Sequence, residues 1–82
     1  MTNWRDTGFT VVKITFMAGI LIGALREMSP EAAYEQTCKL FEWDADDKEL
    51  RGICAAAVET LANNPENLKD LDFKVDLNFK VA

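Results

Sequence analysis

Apolar residues are densest in the stretch from Phe9 to Leu25, in which Lys13 is the only charged residue. The other apolar segments of the chain are interleaved with polar positions, so each of them needs a surface against which its apolar side can be buried. The stretch at residues 9–25 is the best candidate for that surface. We therefore expect the fold to be organised around it.

Three structures are compatible with residues 9–25. A membrane-spanning helix needs about twenty apolar residues. This stretch is shorter, although Gly19 and Gly23 form the G-x-x-x-G spacing that lets two helices approach closely. The second possibility is one long buried helix. The third is a strand over about residues 9–16 followed by a helix, because β-branched residues dominate the first half and Met, Ala and Leu the second.

The end of the chain alternates strictly between apolar and polar residues over positions 70–81, which predicts a half-buried strand. Its apolar positions are Leu71, Phe73, Val75, Leu77, Phe79 and Val81. A strand needs hydrogen-bonding partners, and residues 9–16 are the only other strand candidate in the chain. This need favours the strand-then-helix interpretation of residues 9–25.

Two helices are predicted between these segments. The first runs from about Pro30 to Phe41, with Ser29 as its N-cap and Pro30 in the first turn. Its apolar stripe is Tyr34, Cys38 and Phe41, spaced four and three residues apart.

The second predicted helix follows the acidic segment at residues 42–49 and ends near Leu61. Either Asp44 or Asp46 is expected to cap it. Its apolar side chains recur at helical intervals, and we expect four of them to be buried against the stretch around residues 20–25. These four are Leu50, Ile53, Ala57 and Leu61.

Together these elements predict a single domain over residues 1–82 of the α+β class, dominated by helix. Two or three helices would pack on a small sheet made from strands at about 9–16 and 70–81. A two-stranded sheet is marginal by itself, and its open edges would pair with a second copy or another protein, so we expect a homo-oligomer. The alternative is an all-α domain whose lone C-terminal strand pairs across a dimer.

The charge balance narrows the possible functions. The 82 residues include 14 acidic and 9 basic side chains, a net charge of −5, and no histidine. An acidic chain without a basic stripe is poorly suited to nucleic acid, because phosphate contacts supply much of that affinity. The absence of histidine removes the commonest general base and a frequent metal ligand. The sequence predicts no cofactor, no metal site, no catalytic residue and no enzymatic activity.

Other candidate chemistry is weak. Cys38 and Cys54 lie on the apolar sides of consecutive predicted helices, where they would be two buried thiols or a disulfide. An EF-hand loop needs Gly at its sixth position and Glu at its twelfth. Counting from Asp44, these positions hold Glu49 and Ala55.

The apolar stretch is not followed by a small-x-small cleavage site, so the sequence predicts an intracellular, cytoplasmic protein.

We therefore expect a small, acidic, non-enzymatic interaction protein, such as an inhibitor, an antidote or an assembly factor. Its predicted contacts with a protein partner are the strand edges and an acidic loop, whose binding residues would be Trp43, Asp44, Asp46, Asp47 and Glu49. Tryptophan is a frequent binding hot spot, and the acids suit a partner with a basic surface. The alternative for Trp43 is that it closes the turn between the two helices. The alternative function is a membrane-associated protein with residues 9–25 in lipid.

Overall fold

Residues 3–63, the part of the chain that the computed structural model describes, form helices joined by short turns. In chain order these are α1 (Trp4–Thr7), α2 (Phe9–Leu25), α3 (Pro30–Phe41) and α4 (Lys48–Asn63). Gly8 separates the first two helices with a φ of 90°, a conformation that glycine adopts without steric cost.

The long helix α2 is the central element, because α1, α3 and α4 all pack against it. The side of α2 that faces them, here called the inner face, carries Val12, Phe16 and Ile20, which are all buried. These residues are spaced four apart and therefore lie on one side of a helix. The expectation that residues 9–25 organise the fold is confirmed.

The predicted strand at residues 9–16 is wrong, and with it the predicted α+β sheet. These residues form the first half of α2, and residues 3–63 contain no strand. Strand propensity is a weak preference that packing overrides, and here a helix places Val12 and Phe16 together in the core. The all-α alternative agrees with the described residues. The strand predicted at residues 70–81 lies outside them.

Gly19 and Gly23 serve packing within the chain. A Cβ atom built on Gly19 would lie 2.4 Å from the Thr37 hydroxyl oxygen, and one on Gly23 would lie 2.8 Å from the Cβ of Ala33. The two glycines therefore let α3 approach α2 more closely than any other residue would permit. The close helix contact expected of the G-x-x-x-G spacing is made between α2 and α3.

The bounds predicted for α3 are confirmed. The Ser29 hydroxyl accepts a hydrogen bond from the Ala32 amide at 3.2 Å, and Pro30 stands in the first turn. Tyr34 and Cys38 are buried as predicted, whereas Phe41 at the end of the predicted stripe is 37% exposed.

The predicted burial of α4 is confirmed for Leu50, Ile53, Ala57 and Leu61, which belong to one core cluster. The part of α2 in that cluster lies nearer its middle and start than predicted, because Leu25 is 64% exposed. Arg51 links α4 to the start of α3. Its guanidinium donates two hydrogen bonds to the Glu31 carboxylate and lies 5.0 Å from the centre of the Tyr34 ring.

Candidate interaction surfaces

The five side chains predicted to bind a partner are divided between the interior and the surface. Trp43 is buried and Asp47 is partly buried, whereas the other three are exposed; these are Asp44, Asp46 and Glu49. The turn between α3 and α4 thus has an inner and an outer side. The role of these five side chains in binding a partner remains a prediction.

Trp43 belongs to an aromatic cluster at the end of the core. Its ring lies 5.7 Å from that of Phe16 in an edge-on arrangement and stacks on Phe41 at 4.9 Å. The exposed fraction of Trp43 is 7%, so the more exposed Phe41 is the ring that a partner would meet first. The indole N–H of Trp43 is buried and meets no hydrogen-bond acceptor among residues 3–63. This placement corresponds to the alternative in which Trp43 closes the turn.

Asp47, and not Asp44 or Asp46, caps α4. Its Oδ1 accepts hydrogen bonds from the amides of Glu49 at 2.9 Å and Leu50 at 3.3 Å. These amides are the second and third of the helix, the positions that an N-cap side chain reaches. The predicted cap was wrong because three nearby aspartates satisfy the residue preference. The start of the α4 stripe at Leu50 is the signal that selects Asp47.

The other carboxylate oxygen of Asp47 holds the N-terminal helix in place. Oδ2 accepts hydrogen bonds from the Trp4 indole N–H at 3.1 Å and from the Arg5 guanidinium at 3.0 Å. Burial alone would raise the pKa of Asp47. The bonds from Trp4 and the Leu50 amide, together with the charge of Arg5, outweigh that effect and lower it. Asp47 therefore contributes to folding by joining α1 to α4.

The exposed carboxylates of Asp44, Asp46 and Glu49 form the outer side of this turn. Asp44 Oδ1 accepts a hydrogen bond from the Asp46 amide at 3.0 Å, which fixes the turn locally. Glu49 lies 3.8 Å from Arg5, an exposed pair of the kind that contributes little stability. This surface is acidic and can attract a basic partner.

Both cysteines are free thiols within the core, which confirms the simpler of the two predictions for them. Burial raises the pKa of Cys38 to about 11, although a hydrogen bond with Tyr34 and the charge of Arg51 favour the thiolate. Burial also raises the pKa of Cys54 to about 12. Since the thiolate is the reactive form, these cysteines are poor nucleophiles.

Two properties of the described part of the chain bear on the candidate functions. No cluster of three or more Cys, Asp or Glu side chains in residues 3–63 is placed to hold a metal ion. None of the helices in this range has the length and apolarity that crossing a membrane requires.

The outer face of α2, opposite its inner face, was not predicted from the sequence. We define the outer row as Val11, Ile14, Ala18, Ile22 and Leu25. Ala18 is exposed, and the larger side chains are 52–64% exposed. Their spacing of three and four residues is a helical signal that was available in the sequence. It was hidden because the inner face of α2 is apolar as well, so that periodicity alone did not separate the two faces.

A groove of about 490 Å³ lies beside the outer row, between α2 and α3. Gly19, Gly23 and Ala33 are among its lining residues, and Ile22 and Leu40 line it as well. Leu40 is 76% exposed. The groove and the outer row share Ile22, so the apolar surface continues from α2 towards α3.

Comparison with known proteins found no family model, no curated protein and no solved structure that matches this chain.

Proposed function

We propose that this protein is a small, non-enzymatic interaction module that binds a protein partner through the outer row of α2. The observation that carries the proposal is the exposure of four large apolar side chains in a line without a single charge. Contiguous apolar surface of this kind marks interaction sites in soluble domains. An inhibitor, an antidote or an assembly factor would use such a surface.

The row is suited to an apolar partner because it presents no unsatisfied polar side chain at its centre. Thr15 lies beside the row, and its hydroxyl donates a hydrogen bond to the Val11 carbonyl at 2.8 Å. Covering the row would therefore remove apolar area from water without leaving a buried hydroxyl donor unpaired. A helix of the partner, laid along α2, would meet side chains at the intervals that helix packing uses.

The acidic turn is the second proposed contact. Asp44, Asp46 and Glu49 are exposed and would steer a basic partner towards the protein, since exposed charges act mainly on the association rate. Phe41 and the buried Trp43 would supply an apolar border to this contact. The strand edges predicted as a third contact involve residues 70–81, which lie outside the described range.

The net charge of −5 supports a protein partner over nucleic acid. We also propose that the protein acts in the cytoplasm. Free thiols at Cys38 and Cys54 are compatible with the reducing conditions of that compartment.

Photocrosslinking in the native host tests the proposal. A benzophenone amino acid is introduced into the full-length chain at Ile14, in the outer row, and at Glu59, an exposed position on α4 that serves as the matched control. We expect protein adducts from position 14 and not from position 59. Adding Ile22→Glu to the first variant should abolish these adducts while leaving the helical circular dichroism signal unchanged.

Equal labelling from both positions would contradict a specific protein contact at the row. Adducts at position 14 that contain lipid and no protein would favour the membrane-associated alternative. Charge reversal of Asp44 and Asp46 to Lys should slow the association of a basic protein with the acidic turn at low salt. It should have less effect at high salt, where exposed charges are screened.

A further inference from the structure

The outer row of α2 is nearly palindromic. Starting at Val11, its members follow one another at intervals of three, four, four and three residues, with Ala18 at the centre. Isoleucine stands four residues to either side of Ala18, at positions 14 and 22. An aliphatic side chain stands seven residues to either side, at Val11 and Leu25. The row therefore presents the same pattern in both directions along the helix.

A surface with this symmetry matches a second copy of itself in antiparallel orientation. A two-fold dimer needs a self-complementary patch in which residue i meets residue j and residue j meets residue i. Two α2 helices that cross at Ala18 would place Val11 against the partner subunit's Leu25 and Ile14 against the partner subunit's Ile22. We propose that the partner of the outer row is a second copy of this chain, and that the two α2 helices pack antiparallel about Ala18. This inference rests on the proposed function and names the partner of the outer row; the acidic turn, the second proposed contact, would bind a different, basic protein.

The size of the central residue favours this arrangement. Ala18 is the smallest side chain of the row and stands where the two helix axes would come closest. The larger side chains at positions 14 and 22 then pack on both sides of the crossing. The row extends about 21 Å from Val11 to Leu25 at roughly 1.5 Å per residue, so the contact would run along nearly the whole helix.

Charge distribution also permits two acidic molecules to meet here. The chain carries a net charge of −5, but α2 contains no acidic residue. Among the helices of residues 3–63, α2 alone carries no carboxylate, so like-charge repulsion between two copies is weak along this face.

The first test is the mass of the full-length protein by light scattering at micromolar concentration. We expect about twice the chain mass of 9.2 kDa for the wild type. Ile14→Glu and Ile22→Glu should each return the mass to that of the monomer. Ala62→Glu adds the same charge at an exposed position of α4 and should leave the dimer intact. Circular dichroism of each variant verifies that the helices are retained.

Cysteine crosslinking tests the orientation. Under mild oxidation, Ala18→Cys should form a covalent dimer. Val11→Cys and Leu25→Cys should each form few dimers alone and should crosslink efficiently when mixed. The native thiols are buried, so the wild type supplies the background. Efficient crosslinking of Val11→Cys with itself would overturn the antiparallel arrangement.

A wild-type mass of one chain at all concentrations tested would overturn self-association. A dimer that persists in both the Ile14→Glu and the Ile22→Glu variant would overturn self-association through the outer row. If photocrosslinking at position 14 captures only a different protein, the proposed function stands and this inference fails. If position 14 captures no protein, both fail.

Discussion

Both faces of α2 are apolar, yet only one of them is covered by the rest of the described chain. Ile20 on the inner face is 2% exposed, whereas Ile22 in the outer row is 52% exposed. Hydrophobicity alone does not distinguish them. Gly19 and Gly23 of α2 help to select the face that is covered, because they let α3 pack closely against it. The comparison separates apolar residues that specify the fold from apolar residues that are available for binding.

The largest expected effect compares the two isoleucines directly. Ile20→Ala should lower the free energy of unfolding by about 2–5 kcal/mol, because it empties a buried site. Ile22→Ala should change it by less than about 0.5 kcal/mol under conditions in which the chain is monomeric. Denaturant unfolding of both variants at low protein concentration measures the difference. Equal losses would show that the two faces contribute alike to folding.

The second comparison concerns the glycines of α2 that allow α3 to pack closely. Gly23→Ala should destabilise the protein by about 1–3 kcal/mol, because the new methyl group would overlap Ala33 and force the helices apart. Gly52→Ala is the matched control, since nothing lies within 4 Å of its added Cβ. It should stabilise α4 by up to about 1 kcal/mol through helix propensity. Thermal melts of the two variants should therefore shift in opposite directions, and a shift in the same direction would argue against the close approach of α3.

The third comparison concerns Asp47, which caps α4 and joins it to α1. Asp47→Ala should cost about 0.5–2 kcal/mol, because the first amides of α4 and the Trp4 indole lose an acceptor. Asp46→Ala should stay within about 0.5 kcal/mol, as expected of an exposed side chain. Denaturant midpoints measure both changes. If Asp46→Ala proves the more costly, Asp47 is not the cap.

Lowering the pH should reduce the stability of the folded protein through Asp47, the residue that caps α4. The pKa of Asp47 is lower in the folded protein than in the unfolded chain, so its contribution is present above the unfolded pKa and is lost as the pH falls through the folded value. The stability difference between wild type and Asp47→Asn should therefore shrink as the pH falls below about 4. A difference that does not depend on pH would assign the effect of the substitution to packing alone.

An effect confined to alkaline pH concerns the thiols in the core. Unfolded cysteines ionise near their ordinary pKa of 9.0, whereas burial raises the pKa of Cys38 to about 11 and that of Cys54 to about 12. Their contribution is complete below pH 9 and is lost as the pH rises through the folded values. Stability should fall in this window by at most about 1.4 kcal/mol per pH unit for each thiol. Cys54→Ala should show a shallower decline, and an unchanged slope would mean that its thiol ionises as easily in the folded state.

The helices at residues 30–41 and 48–63 were predictable because their signals are local. Ser29 and Pro30 mark the start of α3, and the stripe from Leu50 to Leu61 has a clean helical period. Residues 9–16 were predicted wrongly because their β-branched side chains favour a strand. The helical spacing of Val12, Phe16 and Ile20 becomes decisive only when α3 and α4 are present to bury it. That information lies in the tertiary fold.

The candidate sites were predictable only in part. The sequence locates the acidic turn, but it does not reveal that Asp47 binds Trp4 or that Trp43 lies in the core. These details depend on contacts between residues far apart in the chain, as for Trp4 and Asp47 and for Phe16 and Trp43. The outer row has a sequence signal of its own, but the inner face carries an equally strong one, so that the burial of one face is needed to identify the other.

The dependence of the melting temperature on protein concentration distinguishes a dimer joined through the outer row from a monomer. Unfolding of a dimer is coupled to its dissociation, so we predict that the wild-type melting temperature rises over a concentration range of about 100-fold. Ile14→Glu should melt at one temperature throughout this range, because it removes the second copy and leaves the inner face intact. A wild-type melting temperature that does not vary with concentration, or one that varies equally in Ile14→Glu, would show that the outer row does not join two copies of the chain.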